Sequence, residues 1–242
     1  MKNITKYALA AVLALCIAAA NAAEPVNQPA KNEKAAAEQK VAVQSTETVK
    51  LSSGAVIEKL REWDKNLQTL DCSFTQHITF GDSGMANTIE GLVRYRKPNL
   101  LRVEHTAPQK QIVVTDKVKI SIYKPQDKQL VKTDWKSWIN QQSAMFSGIT
   151  NFGDYSKILS DHEVKVAYAK DTVSLELAPK DGKKKYTLTL VLGTDNYFPR
   201  EINMKIGTTD VKTALKNTKL NAAIPDGVFT ITPPAGTSVI DF

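Results

Sequence analysis

Between residues 89 and 114 polar and apolar side chains alternate in a way that few folds accommodate. Ile89, Gly91, Val93 and Tyr95 fall on one side of a period-two pattern, with Glu90, Arg94 and Arg96 on the other. A helix would scatter these residues around its circumference. An antiparallel strand places them on opposite faces, so the run reads as a half-buried strand. Lys97-Pro98-Asn99 interrupts it, because proline has no N–H for the ladder and asparagine tolerates turn geometry. Leu101, Val103 and His105 resume the alternation, and Ile112 to Val114 supply another apolar strand after Pro108. The stretch predicts a β-meander with one apolar face. No nucleophile, carboxylate pair or ligand cluster sits in it, so it supplies architecture and not chemistry.

The flanking sequence extends this plan. Ser52 or Ser53 can cap a helix running to about Leu67, in which Val56, Leu60, Trp63 and Leu67 recur at helical spacing. Asp71 to Phe80 switches to period two, with Cys72, Phe74, Ile78 and Phe80 on one face and a turn at Gly81 to Gly84. Strands are expected around Val118 to Ile122 and at Leu130-Val131. From Trp135 to Leu159 the alternation disappears, and two short helices broken near residues 148–153 are expected, with Met145 near their centre. Further strands follow at Val164-Val166, Val173 to Leu177, Tyr186 to Leu192, Ile202 to Ile206 and Val211 to Leu215. A last strand at Phe229 is ended by Pro233-Pro234. About ten one-sided strands must cover their apolar face or curl upon themselves. The expected fold is mainly β with α: an incomplete, half-closed antiparallel β-barrel with a lid of about three short helices.

The start of the chain predicts export. Lys2 and Lys6 precede the apolar run Tyr7 to Ala20, and Ala20-Asn21-Ala22 offers small residues for cleavage. Residues 1–22 therefore read as a signal peptide, with an apolar run too short to span a bilayer. Leu13-Ala14-Leu15-Cys16 outlines a lipobox, but leucine precedes the cysteine where a small residue is needed, so Cys16 reads as one more apolar residue of the signal. Residues 23–50 contain no aromatic residue, leucine or isoleucine and read as a flexible linker. The folded unit is then 51–242.

Catalysis and cofactors find no support in this sequence. It contains no Gly-x-Ser-x-Gly elbow, Gly-rich phosphate loop or Cys-x-x-Cys pair. His77, His105 and His162 lack second ligands at metal spacing, so no metal is expected and exposed or capping roles are. Cys72 would be alone after export, and its parity with Phe74 predicts burial. The net charge of +7 is spread along the chain, with one dense cluster at Lys183 to Lys185 beside the Asp181-Gly182 turn. No basic and aromatic groove is visible, so nucleic acid is not an expected partner.

Three motifs in order add a family resemblance. Gly91-x-Val93-x-Tyr95 with Arg96-Lys97-Pro98-Asn99, Arg102 and Gln111-Ile112-Val113-Val114 follow Phe74-Thr75-Gln76 and precede Phe229-Thr-Ile-Thr-Pro-Pro. In spacing and order, across about residues 53 to 242, they resemble the outer-membrane lipoprotein carrier family, LolA. That resemblance implies a periplasmic chaperone, active as a monomer and without a cofactor. It would take acylated lipoproteins from an inner-membrane ABC transporter complex to an outer-membrane acceptor lipoprotein. It also implies an acyl-chain cavity between sheet and helices. Its lining would include Trp63, Phe74, Ile78, Val93, Tyr95, Leu101, Val103, Ile120, Ile122, Leu188, Leu190 and Met204. Trp138, Met145 and Phe146 would add to it from the helical segment. The family's basic residue before the motif proline, a lid latch that bonds to helix backbone, falls on Lys97, where arginine is usual. Leu101 and Val103 stand where an aromatic residue and a tryptophan often do. The alternatives are a related lidded half-barrel acting as an envelope sensor or interaction domain, and a carrier of another lipid.

Overall fold

The computed structural model describes residues 51–141, 155–182 and 186–242, without the side chains of residues 140 and 141. The expected signal peptide and linker lie outside these residues, as do Met145, Phe146 and the Lys183 to Lys185 cluster. Helix α1 (Ser53–Asn66) opens on Ser52, whose side chain accepts from the Ala55 N–H at 3.3 Å, and Leu67 ends it in extended geometry. This matches the expected helix to within a residue.

Six strands follow in meander order: β1 (Thr69–Phe80), β2 (Met85–Arg96), β3 (Leu100–Ala107), β4 (Gln111–Thr115), β5 (Lys119–Lys124) and β6 (Gln129–Asp134). Two short helices, α2 (Trp135–Gln141) and α3 (Tyr155–Asp161), interrupt the series. Strands β7 (His162–Tyr168), β8 (Thr172–Pro179), β9 (Tyr186–Gly193), β10 (Pro199–Ile206) and β11 (Thr209–Leu220) complete the antiparallel run. A 3-10 turn (Asp226–Phe229) then leads to β12 (Ser238–Asp241).

All twelve strands belong to one sheet, in the order β12-β6-β5-β4-β3-β2-β1-β11-β10-β9-β8-β7. Strands β7 and β12 are its edges and do not pair with each other, so the sheet stays open. Every pairing is antiparallel except β12 with β6, which is parallel. Long β1 stands at the centre, pairing along its length with β2 and β11.

One expected strand is not formed. Phe229 lies in the 3-10 turn and not in a strand, and the last strand comes after the proline pair. Its neighbours' carbonyls are taken by side chains and not by a ladder: the Arg102 guanidinium donates to Val228 O at 3.0 Å and Thr230 O at 3.4 Å.

The core lies on one face of the sheet. Leu70, Cys72, Phe74 and Ile78 of β1 pack with Val93, Tyr95, Leu101 and Val103 of β2 and β3. Val173, Leu175, Leu177, Leu188, Leu190, Leu192, Ile202, Met204, Val211 and Leu215 continue it across β8 to β11. Val56 and Leu60 of α1, and Tyr155, Ile158 and Leu159 of α3, close over it. Burying a side chain of this size contributes about 1.5–3 kcal/mol, so apolar contact is the main force holding the helices on the sheet.

Candidate functional site

The face beneath α1 and α3 combines a large apolar surface with a cover whose polar ties, among the described residues, lie at the helix ends. Helix α1 is tied at its entry, its side and its exit. At the entry, the Tyr168 hydroxyl of β7 donates to Leu51 O at 2.6 Å. At the side, the buried Asp64 carboxylate accepts from the Tyr155 N–H at 3.1 Å, capping α3 from α1. At the exit, Lys97 donates twice: its backbone N–H to Gln68 O at 2.8 Å and its Nζ to Lys65 O at 2.7 Å. Lys65 lies in the last turn of α1, where carbonyls lack helical partners, so a cation there is favoured by both hydrogen bond and helix dipole.

The aromatic residues near α1 are interlocked. Trp63 meets Tyr155 at 5.9 Å and Phe198 edge-on at 5.2 Å between ring centroids. Its outer side lines a surface cleft of about 350 Å³ with Lys59, Leu67, Tyr197 and Asn221. The Tyr95 hydroxyl is used within its own turn, donating to Pro98 O at 3.0 Å.

The expected lining residues separate into three groups. Phe74, Ile78, Val93, Tyr95, Leu101, Val103, Leu188, Leu190 and Met204 come together in the helix-covered core, and Trp63 packs half-buried against it. Ile120, Ile122 and Trp138 are buried outside that cluster, at the end of the sheet where α2 packs on β5 and β6. Met145 and Phe146 fall outside the described residues.

Three polar features of this face escaped the sequence reading. Asp64 sits between Leu60 and Leu67 on the apolar stripe of α1, and an acid at that spacing was the available signal. Gln76 of β1 is buried and donates to Thr213 Oγ1 of β11 at 3.0 Å. His105 is half-buried on the core face, edge-on to Phe74 at 6.0 Å, and not exposed or capping. Burial pushes its imidazole pKa down to about 4, so it is neutral at neutral pH. His162 is buried too, bridging Ile158 O at 2.8 Å and the Tyr186 hydroxyl at 2.9 Å. Cys72 is buried as expected, and burial, followed by the nearby Asp71 charge, pushes its thiol up to about 12. A thiol so protonated is a poor nucleophile.

The opposite face of β2 and β3 is charged. Glu104 accepts from Arg102 Nε and Arg94 at 2.6 Å each, and Arg94 also reaches Asp71 at 3.4 Å. Burial raises the Glu104 pKa; the Arg102 hydrogen bond and the charges of Arg102 and Arg94 outweigh this, and the net shift is downward. Arg96 pairs with Asp226 and lies over the Phe229 ring at 5.0 Å. Together with the Arg102 bonds described above, these contacts fasten residues 224–230 as a strap across that face.

The family described as "Outer membrane lipoprotein carrier protein LolA" matches residues 65–232. A curated outer-membrane lipoprotein carrier protein from Pseudomonas putida (strain GB-1) is 23% identical over 185 residues, covering 76% of this chain and 87% of its own. Its counterpart from Dechloromonas aromatica is 26% identical over 194 residues, covering 78% and 89%. Among solved structures, an uncharacterized conserved protein from Thermus thermophilus aligns with a TM-score of 0.50 at 11% identity, covering 79% of this chain and all of that one. That likeness is one of fold. With most of its folded region inside the family match, the chain belongs to the LolA outer-membrane lipoprotein carrier family.

Proposed function

We propose that this protein is a periplasmic chaperone that shelters the acyl chains of lipoproteins between its sheet and its helices. It would carry them from an inner-membrane ABC transporter complex to an outer-membrane acceptor lipoprotein, acting as a monomer after export. The observation that carries this reading is the contrast in how the cover is held. Its apolar contact is extensive, while the polar ties found among the described residues gather at the helix ends: Tyr168 to Leu51, Lys97 to Lys65 and Asn221 to Asn66 for α1, and Asp64 to Tyr155 and Lys180 to Ser160 for α3.

The energetics favour such a design. Each buried methylene is worth about 0.8 kcal/mol, so a chain of about sixteen carbons holds its owner to a membrane by roughly 12 kcal/mol. A carrier must offer comparable burial and still let go. Apolar contact is non-directional, so acyl chains can replace helix side chains on the sheet with little net cost. Binding then shifts a population between covered and opened arrangements, and Lys97 acts as the latch that biases it. Met204, flexible and polarizable, suits a wall that meets chains of differing shape.

Gentle isolation of the mature protein from its native periplasm, with mass spectrometry of what co-purifies, tests the reading. Near-stoichiometric acylated lipoproteins are the expected result. A free lipid alone, or no bound apolar molecule together with no uptake of a fluorescent apolar probe, would overturn it.

A further inference from the structure

The helix-covered face is not apolar along its whole length. On β3 it runs Leu101, Val103, His105, and the residue opposite His105 on β4 is Gln111. Antiparallel partners share a face, so both side chains project to the helix side of the sheet. On the other flank, His105 pairs with Gly91, and Gly91 with Phe74. A Cβ on Gly91 would stand 2.6 Å from the Phe74 ring, so this ring lies over the glycine, and it meets the His105 imidazole edge-on. The imidazole is thereby held between Phe74 and β4.

Both His105 and Gln111 are half-buried, and among the described residues neither side chain has a hydrogen-bond partner. Gln76, on the same face, is satisfied by Thr213 and shows the usual arrangement. A neutral imidazole presents one donor and one acceptor, and a glutamine amide presents donors and acceptors together. From His105 the same face of β3 continues through the apolar Val103 and Leu101, and the hydroxyls flanking Leu101, those of Tyr95 and Thr115, already donate to Pro98 O and Lys119 O.

We propose that His105 and Gln111 form a hydrogen-bonding site for the ester and amide carbonyls at the head of the acyl chains, with the hydrocarbon lying along Val103 and Leu101 toward α1. This rests on the carrier reading and adds an orientation to it. The pair reads the linkage, and the rest of the wall reads only length and shape.

The test compares two probes on the full mature chain. A triacylated lipopeptide carries ester and amide carbonyls; diphenylhexatriene is a hydrocarbon with no hydrogen-bonding group. His105→Leu and Gln111→Leu are each expected to weaken lipopeptide binding about tenfold and to leave diphenylhexatriene affinity unchanged. His105→Gln, which keeps a donor and an acceptor, is expected to recover most of the loss. Equal affinity of the leucine variants and the unaltered protein for the lipopeptide would overturn the site alone, as would a parallel loss for both probes. Failure of the unaltered protein to bind either probe would remove the carrier reading and the site with it.

Discussion

The two faces of the β1–β2–β3 region are covered by opposite means. On one, α1 and α3 rest on Leu70, Val93, Tyr95 and Leu101, chiefly through apolar contact. On the other, the strap is gripped by Arg96 and Arg102, with Glu104 bracing Arg102 from behind. The Arg102 and Glu104 side chains are only 13% and 23% exposed, which keeps water from competing for these bonds. Directional bonds fix a cover in one place, because no other arrangement satisfies them. Apolar contact tolerates substitution by any surface of similar shape. On the carrier reading, one cover is fixed and the other exchangeable, on opposite sides of the same three strands.

The contrast is broken most severely by removing the strap's anchor. Arg102→Ala strips bonds from Glu104, Val228 and Thr230 and is expected to cost about 3 kcal/mol. Thermal unfolding should show a fall of roughly 6–12 °C. Diphenylhexatriene affinity at a temperature where the variant is folded should not change. Weakened probe binding there would mean that the two covers are coupled.

Acidification should separate the faces by pH window. His105 is held neutral in the folded protein, so the stability it contributes is complete above its unfolded value near 6.5 and falls as the pH drops toward about 4, by up to about 3 kcal/mol. Glu104 is also depressed, so its contribution is present above the ordinary carboxylate value and is lost only as the pH falls through its lower folded value. Denaturant unfolding from pH 7 to 4 in His105→Leu should show a flatter dependence than in the unaltered protein. An identical slope would remove His105 as the source.

A smaller effect is expected from the ties of the exchangeable cover. Asp64→Ala uncaps α3 and is expected to cost about 1–2 kcal/mol, with faster probe uptake in stopped-flow fluorescence. Lys97→Ala should cost less, about 1 kcal/mol, since its bond to Lys65 is exposed. Uptake should again quicken, and Lys97→Arg should restore the slower rate through its planar fork. Unchanged uptake in both alanine variants would show that these bonds do not hold the cover.

Much of this organisation was legible in the sequence, for a physical reason. Period-two alternation decides which side chains of a strand share a face, so Val93, Tyr95, Leu101, Val103 and His105 could all be placed on the core side. The Ser52 cap and the Leu67 end were equally local signals. Partners supplied from a distance were not visible. Asp64 reads as a polar helix residue until Tyr155, 91 positions later, donates to it. Phe229-Thr-Ile-Thr alternates as a strand would, yet Arg102, 126 positions away from Val228, takes the carbonyl a ladder would have used. His105 was assigned the correct face but not its burial, which depends on Phe74 of another strand. Lys97 is the intermediate case: family resemblance supplied the expectation, and its Nζ bonds the end of α1.

Amide hydrogen exchange with and without a triacylated lipopeptide tests the exchangeable-cover account most directly. Protection should change across residues 53–66 and 155–161, with residues 221–232 and the β1–β2 pairing unaffected. Saturable lipopeptide binding that leaves α1 and α3 unchanged, or that alters exchange chiefly in the strap, would contradict the account.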